Sequence, residues 1–235
     1  MTKTILAIDS ATEFCSAALL HEGKVYFRGS EAPRKHADLL LPYVDEVLGE
    51  AGIELPQVDA IAVGRGPGSF TGVRIAAGIA QGLGFSQSIP LIGVSSLQTM
   101  AQQAYEELGE TKVAAAIDAR MGEVYWGTCE LTEGQNKQNV MCLVGQELVC
   151  APQDIPRLTG RWAAAGTGWE TYQSELIATL SDADIKLTDI RLPQARYMLP
   201  AAVQMLDEGK AVEAEQFDVH YVRNEVTWKK LPGKE

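Results

Sequence analysis

The chain has 235 residues, with 20 Lys and Arg against 31 Asp and Glu, a formal net charge of −11 at pH 7. At 46% hydrophobic and 22% charged, it has the composition of a soluble globular protein of one large domain or two of about 100 residues, which excludes disordered and fibrous classes. The acidic surplus also argues against autonomous nucleic-acid binding, because phosphate contacts come from Lys and Arg; a role near RNA would need a basic partner.

The elements read clearly along the first hundred residues. ILAID (5–9), SAALL (16–20) and VYFRG (25–29), joined by short turns, predict an antiparallel three-stranded meander. A helix is expected from Lys35 to Ala51, with Leu40, Val44, Val47, Leu48 and Ala51 at helical spacing, Gly52 as its stop and Pro42 either kinking it or starting it. DAIAVG (59–64) reads as a buried strand, SFTGVRIAAGIAQGLGF as a helix, PLIGV (90–94) as a strand, and SSLQTMAQQAYEEL as a helix capped by Ser95 or Ser96.

The pattern then restarts. Ala116-Ile117-Asp118 repeats Ala7-Ile8-Asp9, and Glu133-Gly134 repeats Glu22-Gly23, so each half opens with a strand ending in Asp followed by a hairpin. VMCLVGQELV, WAAAG, TYQSELIATL, IKLTDI and ARYMLPAAVQMLDEG continue as strand, strand, helix, strand and helix, the last assignable to either half, and VRNEVTWKKLPGKE is a polar tail. Two related β-β-β-α-β-α halves, 1–110 and 111–235, describe an α/β protein of the actin-like (ASKHA, ribonuclease-H-like) fold. Such a fold sets two Asp-bearing hairpins across a cleft, but fold alone does not deliver function.

Asp9 and Asp118 are therefore the candidate nucleotide-binding or catalytic carboxylates of a small-molecule kinase, against the plainer reading that each caps its turn. A phosphate cradle needs glycine, and the hairpins after Asp9 and Asp118 hold only Gly122 between them; Gly166-Thr167-Gly168 adds a weak G-x-G. The run Gly64-Arg65-Gly66-Pro67-Gly68-Ser69-Phe70-Thr71-Gly72 resembles a phosphate loop without the G-K-[ST] ending, and reads better as a tight strand-to-helix turn capped by Ser69. No metal site is expected: Cys15, Cys129, Cys142 and Cys150 form no C-x-x-C pair, and His21, His36 and His220 have no H-x-x-x-H spacing. The histidines support no nucleophilic triad either, which leaves a peptidase as the weakest alternative. The cysteine usage, the apolar run of only Ile5 to Ile8 near the start and the lack of a membrane-length apolar stretch point to the cytoplasm with no membrane contact.

On the helix after the Gly-rich run, Gly72, Val73, Ala76, Ile79, Ala80 and Leu83 make a core face. The opposite side carries Arg74, Ala77, Gly78, Gln81, Gly82 and Phe85. Glycine is a poor residue for an exposed helix surface. A partner interface is inferred along this side, joined by Leu39, Leu41 and Tyr43 of the preceding helix, which exceed the needs of one core face.

LAIDSATEFCSAAL, HADLLLPYVDEVL, DAIAVGRGPGSFTGVRIAAGIAQGLGF, GVSSLQTMAQQA and AAIDARMGEVYW resemble the bacterial TsaB (YeaZ) family over nearly the whole chain, GRGPGSFTGVR most specifically. The resemblance implies a non-catalytic partner of TsaD, its paralogue, in making threonylcarbamoyladenosine beside the anticodon of tRNAs that read codons beginning with A. It also implies a helix bundle with TsaD, a homodimer through the same surface when TsaD is absent, and TsaE, an ATPase, as third partner. On that reading tRNA is reached only through the complex, and ATP and Mg2+ are used by the partners, with no cofactor bound by this chain alone. The H-x-x-x-H metal pair of TsaD has no counterpart here.

Overall fold

The structure, a computed structural model, describes residues 3–133, 139–219 and 222; His220, Gly134 and the tail beyond Val222 lie outside the described residues. The expected meander is formed by β1 (Ile5–Asp9), β2 (Phe14–His21) and β3 (Lys24–Glu31), and β4 (Ala60–Gly64) and β5 (Leu91–Val94) add in parallel, giving the order β3-β2-β1-β4-β5. β1 and β4 are buried at every position, because both faces of this sheet are covered and an all-apolar strand meets that demand. α1 (His36–Ala51) and α2 (Phe70–Gln87) lie on one face, where Leu40, Val44, Val47, Ala76 and Ala80 pack on Leu6, Ile8, Cys15, Ala17, Leu19, Ile61 and Val63. α1 begins ahead of Pro42 and runs through it, ending at Gly52 in the left-handed conformation.

The second half repeats this order. β6 (Lys112–Arg120), β7 (Glu123–Glu133), β8 (Asn139–Cys150), β9 (Gly160–Ala165) and β10 (Ala183–Leu187) form a sheet in the order β10-β9-β6-β7-β8, the same succession read from the other edge. It departs from the expected β-β-β-α-β-α plan at one place: between β8 and β9 there is only a 3-10 turn, Pro152–Asp154, where the first half has α1. Two short helices, α4 (Thr167–Thr171) and α5 (Gln173–Thr179), cover the outer face with Trp169 and Leu176 in a core that includes Trp126 and Trp162.

Packing crosses the expected boundary at 110/111. α3 (Ser96–Leu108) belongs to the first half by sequence, yet its Leu97, Met100, Ala101 and Ala104 pack on Val113, Ala115, Ile117, Cys129 and Met141 of the second sheet. Conversely, the 3-10 turn Ala195–Met198 and α6 (Leu199–Asp207) pack on Ile5, Ala7, Ala18, Ala60, Ala62, Ile92 and Val94 of the first. The chain then returns to α2: Val212 bridges Leu91, and Ala214 and Phe217 enter the core beneath α1 and α2. Residues 195–217 thus pack as part of the first half, because their apolar stripe fits its uncovered inner face. No helix among the described residues is long and apolar enough to cross a membrane.

α3 buries polar side chains for a definite reason. Ser95 caps it, accepting from Leu97 N at 3.1 Å and Gln98 N at 3.2 Å. Gln98 Nε2 donates to Met141 O at 2.8 Å, while Gln102 Oε1 accepts from Met141 N at 2.8 Å, so two glutamines satisfy the outward backbone of the edge strand β8. Gln102→Leu keeps the size but strips the acceptor from a buried N–H, and urea unfolding is expected to show a loss of about 1–3 kcal/mol. An unchanged midpoint would rule out this edge-capping role.

Candidate functional site

The parallel strands β1 and β4 end at Asp9 and Gly64, where ligands of open α/β sheets commonly bind. Here the place is filled by the protein itself. Ser69 N donates to Ala11 O at 2.7 Å, and Ser10 Oγ donates to Gly72 O at 2.8 Å. A Cβ on Gly68 would lie 2.2 Å from Ala11 O, and one on Gly72 would lie 2.0 Å from Ser10 O. The glycines of this loop therefore permit backbone to meet backbone, and Ser69 caps α2 by accepting from Gly72 N at 3.2 Å, as the turn reading anticipated.

Asp9 is fully buried behind this contact. Its Oδ1 accepts from Ala11 N at 2.9 Å, and its Oδ2 has no hydrogen-bond partner among the described residues. A Cβ at position 64 would sit 2.0 Å from Oδ2, so glycine is what makes room for the carboxyl. Burial pushes the acid up to about 7, offset only in part by the Ala11 N–H. The neighbouring Cys15 thiol is pushed up to about 12 by burial and by the charge of Asp9.

Asp118 is treated differently. Its Oδ1 accepts from Arg120 N at 2.8 Å and its Oδ2 from Arg120 Nη1 at 3.0 Å. Arg120 Nη2 also approaches Glu13 Oε1 at 3.8 Å, linking the two hairpin turns across the cleft, and Arg191 reaches both Glu170 and Glu31. The structure thus does not present Asp9 and Asp118 as a pair of open carboxylates: one is sealed and the other is paired. Gly166 and Gly168 pack α4 onto β6, where added Cβ atoms would meet Ala116 at 2.2 and 2.8 Å. His36 Nε2 is bonded to Thr12 O at 2.8 Å and His21 Nδ1 to Thr4 Oγ1 at 3.0 Å. Among the described residues no group of three or more His, Cys, Asp or Glu could hold a metal ion. An open depression of about 550 Å³, lined by residues including Glu110, Lys112 and Arg161, lies at the far end of the second sheet from Asp118.

The outer side of α2 is the second candidate. Around Gly78 and Gly82 an added Cβ would meet nothing within 4 Å, and Phe70 and Phe85 are 65% and 68% exposed. The Arg74 guanidinium lies over the Phe70 ring, 3.2 Å from its centroid. Two expected members turn inward: Ala77 is buried, and Gln81 Nε2 donates to Ala214 O at 3.2 Å and Phe217 O at 3.0 Å. Gln81 thereby serves the returning C-terminal segment, and Ala77 joins the core of the first half, which sequence spacing on one helix does not reveal. On α1, Leu39 is half-buried against the core, and Tyr43 OH bonds Ser30 Oγ of β3 at 2.9 Å, on the side where Arg28 pairs with Glu46 and Glu50. The large hydrophobic residue that α1 exposes is Leu41. Phe70 was missing from the expected face; an aromatic directly after a Ser cap is the signal that could have marked it.

A family model described as "TsaD: tRNA N6-adenosine threonylcarbamoyltransferase" matches residues 29–228. The "tRNA threonylcarbamoyladenosine biosynthesis protein TsaB" of Escherichia coli is 46% identical over 98% of this chain and 99% of its own length. Its Haemophilus influenzae namesake is 43% identical over 99% and 98%. A solved structure titled "YeaZ from Pseudomonas aeruginosa" superposes with a TM-score of 0.82 at 47% identity, covering 91% of this chain and 97% of that one. Another, titled as an uncharacterized protein with similarity to peptidase YEAZ from the same organism, gives 0.85 at 45% identity, covering 94% and 100%.

The Asp9 carboxyl makes a prediction with a definite sign. Unfolded, it ionises near 3.9; folded, it holds its proton to about 7. Between these values the folded state binds more protons, so this group's contribution to stability is full at low pH and is lost as pH rises towards 7. Urea titrations at pH 4.5 and 8 are expected to show a smaller loss for Asp9→Asn than for the wild type, and equal losses would disprove the buried acid.

Proposed function

The chain belongs to the TsaB family, and we propose that it works in threonylcarbamoyladenosine synthesis on tRNA as a non-catalytic scaffold and activator of a TsaD-type paralogue. The observation that carries this reading is the outer side of α2. Two glycines in a solvent-facing helix surface sacrifice about 1 kcal/mol each relative to alanine, and Phe70 and Phe85 are 65% and 68% exposed beside them. A second helix laid against this stripe repays both, because missing side chains let backbones approach while the aromatics and Leu41 are buried at the flanks. The same surface on a second copy supplies a homodimer when the paralogue is absent.

The cleft supports the non-catalytic part of the reading. Asp9 lies behind the loop and Asp118 is held by Arg120, so neither is poised as a base or a metal ligand. Threonylcarbamoyl transfer is then the partner's chemistry, ATP and Mg2+ are used by the partners, TsaE among them, and tRNA is bound by the complex in the cytoplasm. The charge of −11 agrees with RNA contacts made elsewhere in that complex.

Gly78→Glu is expected to abolish copurification with the TsaD-type partner and tRNA modification without unfolding the chain, since the site has open space around it. Full binding and full modification by this variant would refute the assignment. Gly78→Ala and Gly82→Ala should instead stabilise the isolated chain by up to about 1 kcal/mol each while weakening association. Calorimetry of the chain alone with ATP and Mg2+ should register no heat; tight binding would restore the kinase reading of Asp9 and Asp118.

A further inference from the structure

Glu147 lies on β8, in the second half, but its carboxylate serves the first. Its side chain is only 4% exposed; Oε2 accepts from Arg65 Nη2 at 2.6 Å, and Oε1 accepts from Ser95 Oγ. Arg65 stands in the loop that leads into α2, and Ser95 caps α3. The stem of Arg65 lies across Gly93, where an added Cβ would meet Arg65 Cδ at 3.2 Å and the Phe217 ring at 3.3 Å. Phe217 O in turn accepts from Gln81 of α2. One carboxylate therefore touches the residues that set the start of α2, the start of α3 and, through Arg65, the segment that braces the side of α2.

The chemistry of this pair suits positioning better than stability. Desolvating two charges consumes most of what their attraction returns, so apolar residues of the same volume would hold the fold as well. Arg65 Nη1 is also buried with no hydrogen-bond partner among the described residues, a further penalty. A guanidinium gives direction, which apolar contact does not: Ser69 N holds the far end of the loop to Ala11 O at 2.7 Å, and the Arg65 side chain adds a tie from its near end to the second half.

We propose that Glu147 is a positioning residue for the partner-facing helix, fixing the loop before α2 from the second half through Arg65. The inference rests on the reading of the α2 surface given above.

The test uses the full chain and its TsaD-type partner, with affinity measured by calorimetry well below the unfolding temperature. Glu147→Gln retains shape and the acceptor for Ser95, and Arg65→Met retains the stem. Leu176→Ala, in the outer core of the second half, is the control for general destabilisation. Glu147→Gln and Arg65→Met should each weaken partner binding about tenfold, the double variant no further than the worse single, as expected of two residues acting through one contact. Hydrogen exchange in residues 64–75 should quicken in Glu147→Gln and not in the control, which should bind as the wild type does. Wild-type affinity in both Glu147→Gln and Arg65→Met, with binding lost in Gly78→Glu, would overturn this inference alone. Wild-type affinity in all three would overturn the surface reading and this inference with it. Equal weakening by Leu176→Ala would reduce the effect to stability and overturn the positioning role.

Discussion

Where Gly68 and Gly72 press onto the carbonyls of Ala11 and Ser10, two pieces of backbone occupy the volume that a bound ligand would need at the end of the first sheet. That contact fixes three things at once. It seals Asp9 from water, which raises its affinity for a proton; it sets the direction in which α2 leaves the sheet; and it leaves the far side of α2 facing outward. A Cβ at any of positions 64, 68 or 72 would force the loop away and undo all three, which is a physical reason for so glycine-rich a run. The run looks like a phosphate loop because both uses demand the same thing, close approach to a backbone without side chains in between.

The two halves are held together mainly by exchange of helices. α3 packs on the sheet of the second half, and the segment from Ala195 through α6 packs on that of the first, so neither sheet has both faces covered without the other half's chain. The exchange buries Leu97 and Met100 on the second sheet and Met198 and Leu199 on the first, so each half is completed by a segment of the other. α2 takes its orientation from the first sheet, on which Ala76, Ala77 and Ala80 are packed, and its outer side is left facing away from that core.

The strands, the first three helices and the duplication were legible in the sequence because each rests on local pattern: apolar runs for strands covered on both faces, helical spacing for α1 to α3, and Ser95, Ser69 and Gly52 at their ends. What was not legible depends on partners distant in the chain. Ala77 and Gln81 sit on the outer arc of an isolated α2, yet Ala77 is buried in the core of the first half and Gln81 is bound to the returning Ala214 and Phe217. Tyr43 looks surplus to one core stripe until β3 offers it Ser30. Glu147 carries no motif at all, since its meaning lies in Arg65 and Ser95, both far away in sequence. The outer stripe Arg74, Gly78, Gly82 and Phe85 remains as the spacing predicts, because no segment of the described chain covers Gly78 and Gly82.

The cleft between the halves shows what the arginines contribute. Glu13, Asp118, Glu31 and Glu170 would place four negative charges around one opening, and Arg120 and Arg191 answer them from the second half. Both guanidiniums are substantially exposed, at 76% and 47%, so each pair adds at most about 1 kcal/mol to stability. Their effect is to cancel repulsion among these carboxylates. The halves themselves are joined by apolar burial in the exchanged helices, and the Glu147–Arg65–Ser95 contact adds direction there rather than stability.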